Sequence, residues 1–318
     1  MTTPVRVLSV GECMIEVRFR DAAAATVSFG GDTANVAIYL SHYGAPRGID
    51  VSYLTSVGDD LHSQRMVLWL KQKRVSTRTV QVRLGGKVGL YLIDNTADGE
   101  RIFTYYRGDS AARQLFTGAA ATAAAVEAIH DADWVYLSGI SVAILTPDAR
   151  VVLLQALDAV RERGVRVVFD SNYRPALWRD TETARTVTTE FLRRTDVALP
   201  TAVDDRDLFG DLDEQATANR LHQLGVPEVV VKLGPQGCLV SSGGQRRHLP
   251  ISGSGHAVDT TAAGDSFNAG YLFGRIRGAG PAEAAGIAAR LAAAVVSHPG
   301  AVIDPGHLPE IDAEEAIS

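Results

Sequence analysis

Apolar residues along this chain alternate between two spacings. Residues 165–170 read VRVVFD, a nearly continuous apolar run that closes on an acid. Such a run marks a strand buried on both faces of a parallel sheet. Ahead of it, Thr146 and Pro147 place an N-cap and an N1 proline at a helix start. Val151, Leu154, Leu157 and Val160 then recur at helical spacing, and Gly164 closes the helix. Beyond the strand the pattern predicts a helix over 181–194, a short strand at 197–199, a helix near 213–224 and a strand over 228–233. Two more helices follow, near 264–277 and 281–297. The Ala-rich stretch 119–125 reads as a surface helix. Strands alternating with helices predict a mostly parallel central sheet with helices on both faces.

Two segments break the alternation. Residues 11–29 and 87–106 carry Val, Ile, Phe, Thr and Tyr at β-like spacing, with no helix between their strands. Residues 96–99, TADG, read as a hairpin turn. These pieces predict a small antiparallel β-sheet, built from about 12–30 and 86–108, that acts as a lid over a main α/β domain made of the remainder.

Composition narrows the function classes. At 318 residues, with 46% hydrophobic and 21% charged, the chain is long enough for a sizeable core and too apolar for disorder. The formal net charge is −6, so no basic face is available for nucleic acid. An anionic substrate would have to be met by local positive charge. Cys13 and Cys238 lie far apart and form no CxxC pair, which suits reduced thiols in the cytoplasm. The N-terminal apolar run is broken by Arg6 and Glu12, unlike a signal peptide, and no stretch of about 18 apolar residues predicts a membrane span.

Standard nucleotide, zinc and serine-hydrolase motifs are absent, and the eight histidines are scattered. The strongest chemical signal is DTTAAGDSFNAG over 259–270. Small residues there lead into a helix, so the amides of Ala262, Ala263, Gly264 and Asp265 would gather at its positive end as an anion hole. Asp265 beside it is placed to take a proton from an attacking hydroxyl. An ordinary N-cap is the competing reading. A second signal is Gly30-Gly31 followed by Asn35, where a sugar hydroxyl would meet glycine amides and the Asn amide; a tight turn into a helix competes. In the third, Lys232 with Gly234 and Gly237 would border nucleotide phosphates, or would form a hairpin with a solvated Lys.

Together these segments resemble the ribokinase-like (PfkB) carbohydrate kinases, which carry a Gly-Gly motif near the N-terminus and a DTxGAGD-like motif near the C-terminus. The resemblance runs from about Val5 to Ala301. Within that family it is closest to the 2-keto-3-deoxygluconate kinases. The residues carrying this are 11–16 (GECMIE), 29–32 (FGGD), 89–91 (GLY), 105–107 (YYR), 137–140 (LSGI), 170–178 (DSNYRPALW) and DTTAAGD. It implies a ribokinase-like fold and ATP-dependent phosphorylation of the 6-hydroxyl of 2-keto-3-deoxygluconate. A neutral-sugar kinase and a non-catalytic sugar sensor are the alternatives.

The resemblance also implies roles. Asp265 is the base, with the amides of Ala262, Ala263 and Gly264 at the phosphoryl group. Gly31, Asn35, Tyr91, Tyr105, Arg107, Ile140 and Arg174 would contact substrate. Asn172, Lys232, Gly234, Gly237, Gly264 and Asn268 would lie near ATP. A keto acid needs a cation, and an arginine fork matches a carboxylate or a phosphate; Arg107 and Arg174 are the two candidates, with surface salt bridges as the competing reading. The family's NxxE segment becomes Thr201 to Asp204 here, so Asp204 would hold Mg²⁺ through water. A monovalent cation is implied near Asp259 and Thr261. Gly300-Ala301 would border the nucleotide, and the lid sheet would pair copies into a homo-oligomer.

Overall fold

The computed structural model describes residues 3–19, 24–95, 101–250 and 257–311. Eight strands form the main sheet in the order Gln245–Leu249, Cys238–Ser242, Glu228–Lys232, Val197–Ala198, Arg166–Asp170, Trp134–Ser138, Val5–Val10 and Ile49–Leu54. The last six run parallel, and the first two add an antiparallel hairpin at one edge.

Alternate residues of the central strands sort to opposite faces. Val7, Val51, Tyr53, Tyr136, Val168 and Val230 pack into a layer that holds the helices Asp32–Gly44, Ala263–Ile276 and Pro281–Val296. Leu8, Val135, Leu137, Val167, Phe169 and Val231 pack into the opposite layer, with the helices Ala119–His130, Pro147–Arg161, Thr181–Leu192 and Glu214–Gln223. Both faces are covered, which is why the strands read as continuous apolar runs. The expected helix starts are capped: Thr146 accepts from Ala149 N–H at 3.2 Å and Asp213 from Ala216 N–H at 2.7 Å.

The helix Ala202–Phe209 was not among the expected elements. Only Asp205 and Leu208 of it are buried, so it carries no apolar stripe to read. The small sheet has the order Ala25–Gly30, Met14–Phe19, Gly89–Asn95 and Arg101–Tyr106. Its expected antiparallel pairing holds at both outer pairs and fails in the centre. There Met14–Phe19 and Gly89–Asn95 run parallel, since the chain crosses the main sheet between them and returns in the same direction. The expected turn at 96–99 lies outside the described residues. Among the described residues no helix is long and apolar enough to cross a membrane, and both cysteines are free and buried.

The helix Ala263–Ile276, which begins at the predicted anion hole, is seated on Pro281–Val296 through Gly270. A methyl group on Gly270 would lie 2.8 Å from the Ala288 Cα, a backbone atom that cannot swing aside. Gly270→Ala is therefore expected to lose about 1–3 kcal/mol of stability by overpacking, outweighing the helix-propensity gain of about 1 kcal/mol. Chemical denaturation measures this, and an unchanged or raised midpoint refutes the close-packing account.

Candidate active site

The parallel strands end on one side of the sheet, where ligands of open α/β sheets bind. Glu12, Asp170 and Lys232 sit at those ends, and the small sheet stands over them. Between the layers lies a cleft of about 940 Å³, lined among others by Gly31, Asn35, Tyr91, Arg107, Asn172 and Asp265. Ile140, Tyr105, Arg174, Asp204, Lys232 and Gly264 share its wall. The fold thus brings together residues separated by up to 253 positions, since Glu12 and Asp265 line one cavity.

At the floor, the first bond of the Ala263–Ile276 ladder runs from Ser266 N–H to the Ala262 carbonyl at 2.9 Å. The Ala263 amide turns back to the Thr260 carbonyl at 3.2 Å. That leaves the Gly264 and Asp265 amides ahead of the ladder, at the positive helix end. Asn35 Nδ2 donates to Asp265 Oδ2 at 2.8 Å. Burial pushes the Asp265 carboxyl up to about 8, and the nearby Asp32 carboxylate adds to the shift. Asn35 and Lys232 pull the other way.

Lys232 does not point into solvent. Its ammonium donates to Asp170 Oδ2 at 2.6 Å and to Asn268 Oδ1 at 3.1 Å, and it lies 3.5 Å from where a Gly264 side chain would begin. It therefore supplies fixed positive charge beside the anion hole. Asn268, expected near ATP, is sealed beneath the cleft, where it also donates to Asp170 and Tyr136. Gly234 and Gly237 fall in the turn after Lys232 and are not among the residues lining the cleft. Gly237 has a positive φ of 99° and a methyl there would strike the Leu249 carbonyl, so its local need is structural. Gly31 likewise passes close to the Glu12 carbonyl, which a methyl group there would approach to 2.2 Å, while lining the cleft.

Asn172, also expected near ATP, bonds Asp32 Oδ2 at 2.8 Å on the Gly-Gly side. Its φ of 30° is strained for a non-glycine residue and is held by that bond and by its own amide on Asp170 Oδ1 at 3.1 Å. Ser138 also donates to Asp32, whose carboxyl burial raises above the usual range. Asp32, Asp170 and Glu12 were missed as site residues. The signal available for Asp170 was an acid at the end of an otherwise apolar strand.

The two candidate arginines differ. Arg107 is buried, donates from Nη2 to Glu12 Oε2, and lies 5.9 Å from the Tyr105 ring centre. Its Nε has no partner among the described residues. Burial raises the Glu12 carboxyl and the Arg107 charge opposes the rise. Arg174 is half exposed and reaches Asp204 at 3.2 Å. Tyr91 commits its hydroxyl to Glu16 Oε2 at 2.5 Å, so it offers the cleft a ring rather than a donor.

For a divalent metal, the fitting donor is Asp204. It is a hard oxygen ligand in the cleft wall, and its raised carboxyl pKa, caused by burial and opposed by Arg174, is what a cation would reverse. No cluster of three or more His, Cys, Asp or Glu side chains suited to a metal occurs among the described residues. The oxygens of Asp259 and Thr261, expected near a monovalent cation, instead receive the Arg101 guanidinium, and Arg18 also donates to Asp259 at 2.8 Å.

Residues 5–306 match the family model described as pfkB family carbohydrate kinase. The chain belongs to the pfkB family of carbohydrate kinases. Among relatives of this kinase, the 2-dehydro-3-deoxygluconokinase of Dickeya dadantii is 41% identical over 310 residues, covering 95% of this chain and 98% of the relative. The enzyme of the same name from Haemophilus influenzae is 37% identical over 314 residues, covering 97% and 99%. The kinase also shares its fold with the crystal structure of the 2-dehydro-3-deoxygluconokinase of Thermotoga maritima. The TM-score is 0.79 at 23% identity, with 94% of this chain and 95% of that one covered. Membership makes this kinase an ATP-using enzyme with a divalent metal.

Proposed function

We propose that this kinase transfers the γ-phosphoryl group of ATP to the 6-hydroxyl of 2-keto-3-deoxygluconate. The observation that carries the reading is Arg107. A buried guanidinium lines a cleft in an acidic chain, and full-length relatives bear the name of that activity. The keto-acid carboxylate is matched to this guanidinium, which Glu12 holds at Nη2. Arg174, exposed and paired to Asp204, serves the phosphate side.

Asp265 accepts the proton of the attacking hydroxyl, and Asn35 orients its carboxylate. The Gly264 and Asp265 amides and Lys232 stabilise charge that gathers on the transferred group. Asp204 would hold Mg²⁺, which when bound would supply charge neutralisation for the phosphates. Tyr91, Tyr105 and Arg107 of the small sheet exclude water from the sugar when that sheet closes as a lid. The small sheet also exposes Val27, Ile102 and Tyr106, an apolar surface suited to pairing with a second copy. Two buried free thiols suit the cytoplasm.

A coupled ADP-release assay with 2-keto-3-deoxygluconate, fructose and ribose tests the reading. The keto acid is expected to give the highest kcat/KM. A preference for either neutral sugar would overturn the substrate, and ligand-dependent melting without ADP release would overturn the reaction.

A further inference from the structure

Asp259 stands at the head of the loop that opens the anion hole, and its carboxylate is almost wholly withdrawn from solvent, at 2% exposure. Four donors meet it. Thr261 N–H at 2.9 Å and the Arg101 guanidinium reach Oδ1; Gly300 N–H at 2.7 Å and Arg18 Nη1 at 2.8 Å reach Oδ2. Two of the four come from the loops at the anion hole and the C-terminal segment. The other two come from the small sheet, from Met14–Phe19 and from the first residue of Arg101–Tyr106. Arg101 Nη1 also donates to the Thr261 hydroxyl at 2.5 Å.

A buried carboxylate without compensating cations is costly, and here both cations are delivered by a separate sheet. The loop geometry is therefore complete only when the small sheet is down. We propose that Arg18 and Arg101 are positioning residues for phosphoryl transfer: they latch the small sheet onto Asp259 and so fix the Asp259–Thr261 loop that feeds the anion hole. The inference rests on the phosphoryl-transfer reading above. Closure over the sugar and alignment of the phosphate site then become one event, because the same two guanidinium groups complete both. The depressed pKa of Asp259, which its hydrogen bonds hold down against burial, keeps the latch charged throughout the neutral range.

The test uses the full chain and whichever sugar the wild type phosphorylates. Arg101→Ala is expected to lower kcat by about 100-fold, the scale of a small misplacement of reacting groups. Millimolar guanidinium ion is expected to restore part of that loss, and Arg101→Lys to retain part of it. Asp259→Asn should show a similar kcat loss, and the Arg101→Ala/Asp259→Asn double variant should lose no more than the worse single. Wild-type kcat in Arg101→Ala would overturn the latch. So would full additivity of the two losses, or a loss in a correctly melting protein that guanidinium leaves untouched. An inactive wild type on every sugar would instead sink the reaction itself, so the two failures are distinct.

Discussion

Asp265→Asn is expected to lower kcat by about two orders of magnitude or more, the usual cost of removing a general base, with little change in sugar binding. The same variant should be more stable than the wild type. Asp265 is lifted from 3.8 to about 8 by burial and by the Asp32 charge, so the folded protein holds a proton there that the unfolded chain releases. A carboxyl raised on folding costs stability as pH climbs from the unfolded value toward the folded one. The melting advantage of Asp265→Asn should thus be small near pH 4 and grow toward pH 8. For the wild type, kcat/KM should rise with pH up to about 8, as the free enzyme's base ionises. Near-wild-type turnover in the variant would remove the base assignment, and a melting advantage that shrinks with pH would remove the electrostatic one.

Arg107→Ala is the second large effect, and it has two parts. Loss of a charge-assisted hydrogen bond to the keto-acid carboxylate should raise KM for 2-keto-3-deoxygluconate by about 10- to 150-fold, from a contribution of about 1.5–3 kcal/mol. A neutral ketose should be affected far less. The variant should also lose about 3–5 kcal/mol of stability, because Glu12 is left as a buried carboxylate without its partner. Adding Glu12→Gln separates the two. The double variant should regain stability, seen in its melting temperature, and should not regain preference for the acid. Equal KM changes for acid and neutral sugars would remove the carboxylate role.

Much of the site was readable because its chemistry is local in the chain. The run from Asp259 to Gly270 carries the proposed anion hole and base on one helix start, and any such start presents unbonded amides. Gly31 with Asn35 is similarly compact. What escaped reading lies in partners brought from afar. Lys232 reads equally well as a solvated side chain or a phosphate neighbour, and only Asp170 and Asn268 set it facing inward. Asn172 was expected at the nucleotide and is turned to Asp32, 140 residues away. Arg107 and Arg174 look alike as sequence; burial on Glu12 and exposure beside Asp204 tell them apart.

The sequence by itself determined the alternating α/β layers, the family and the segment to which we assign the anion hole and the base. Each is encoded by periodicity or by residues within a few positions of one another, where chain geometry alone dictates the outcome. The tertiary structure decided the parallel pairing at the centre of the small sheet, the acids that hold each cation, and the two arginines that fill the oxygens of Asp259 and Thr261. Those contacts join segments from 30 to 241 residues apart, and a charge's role depends on which neighbour shares its buried space.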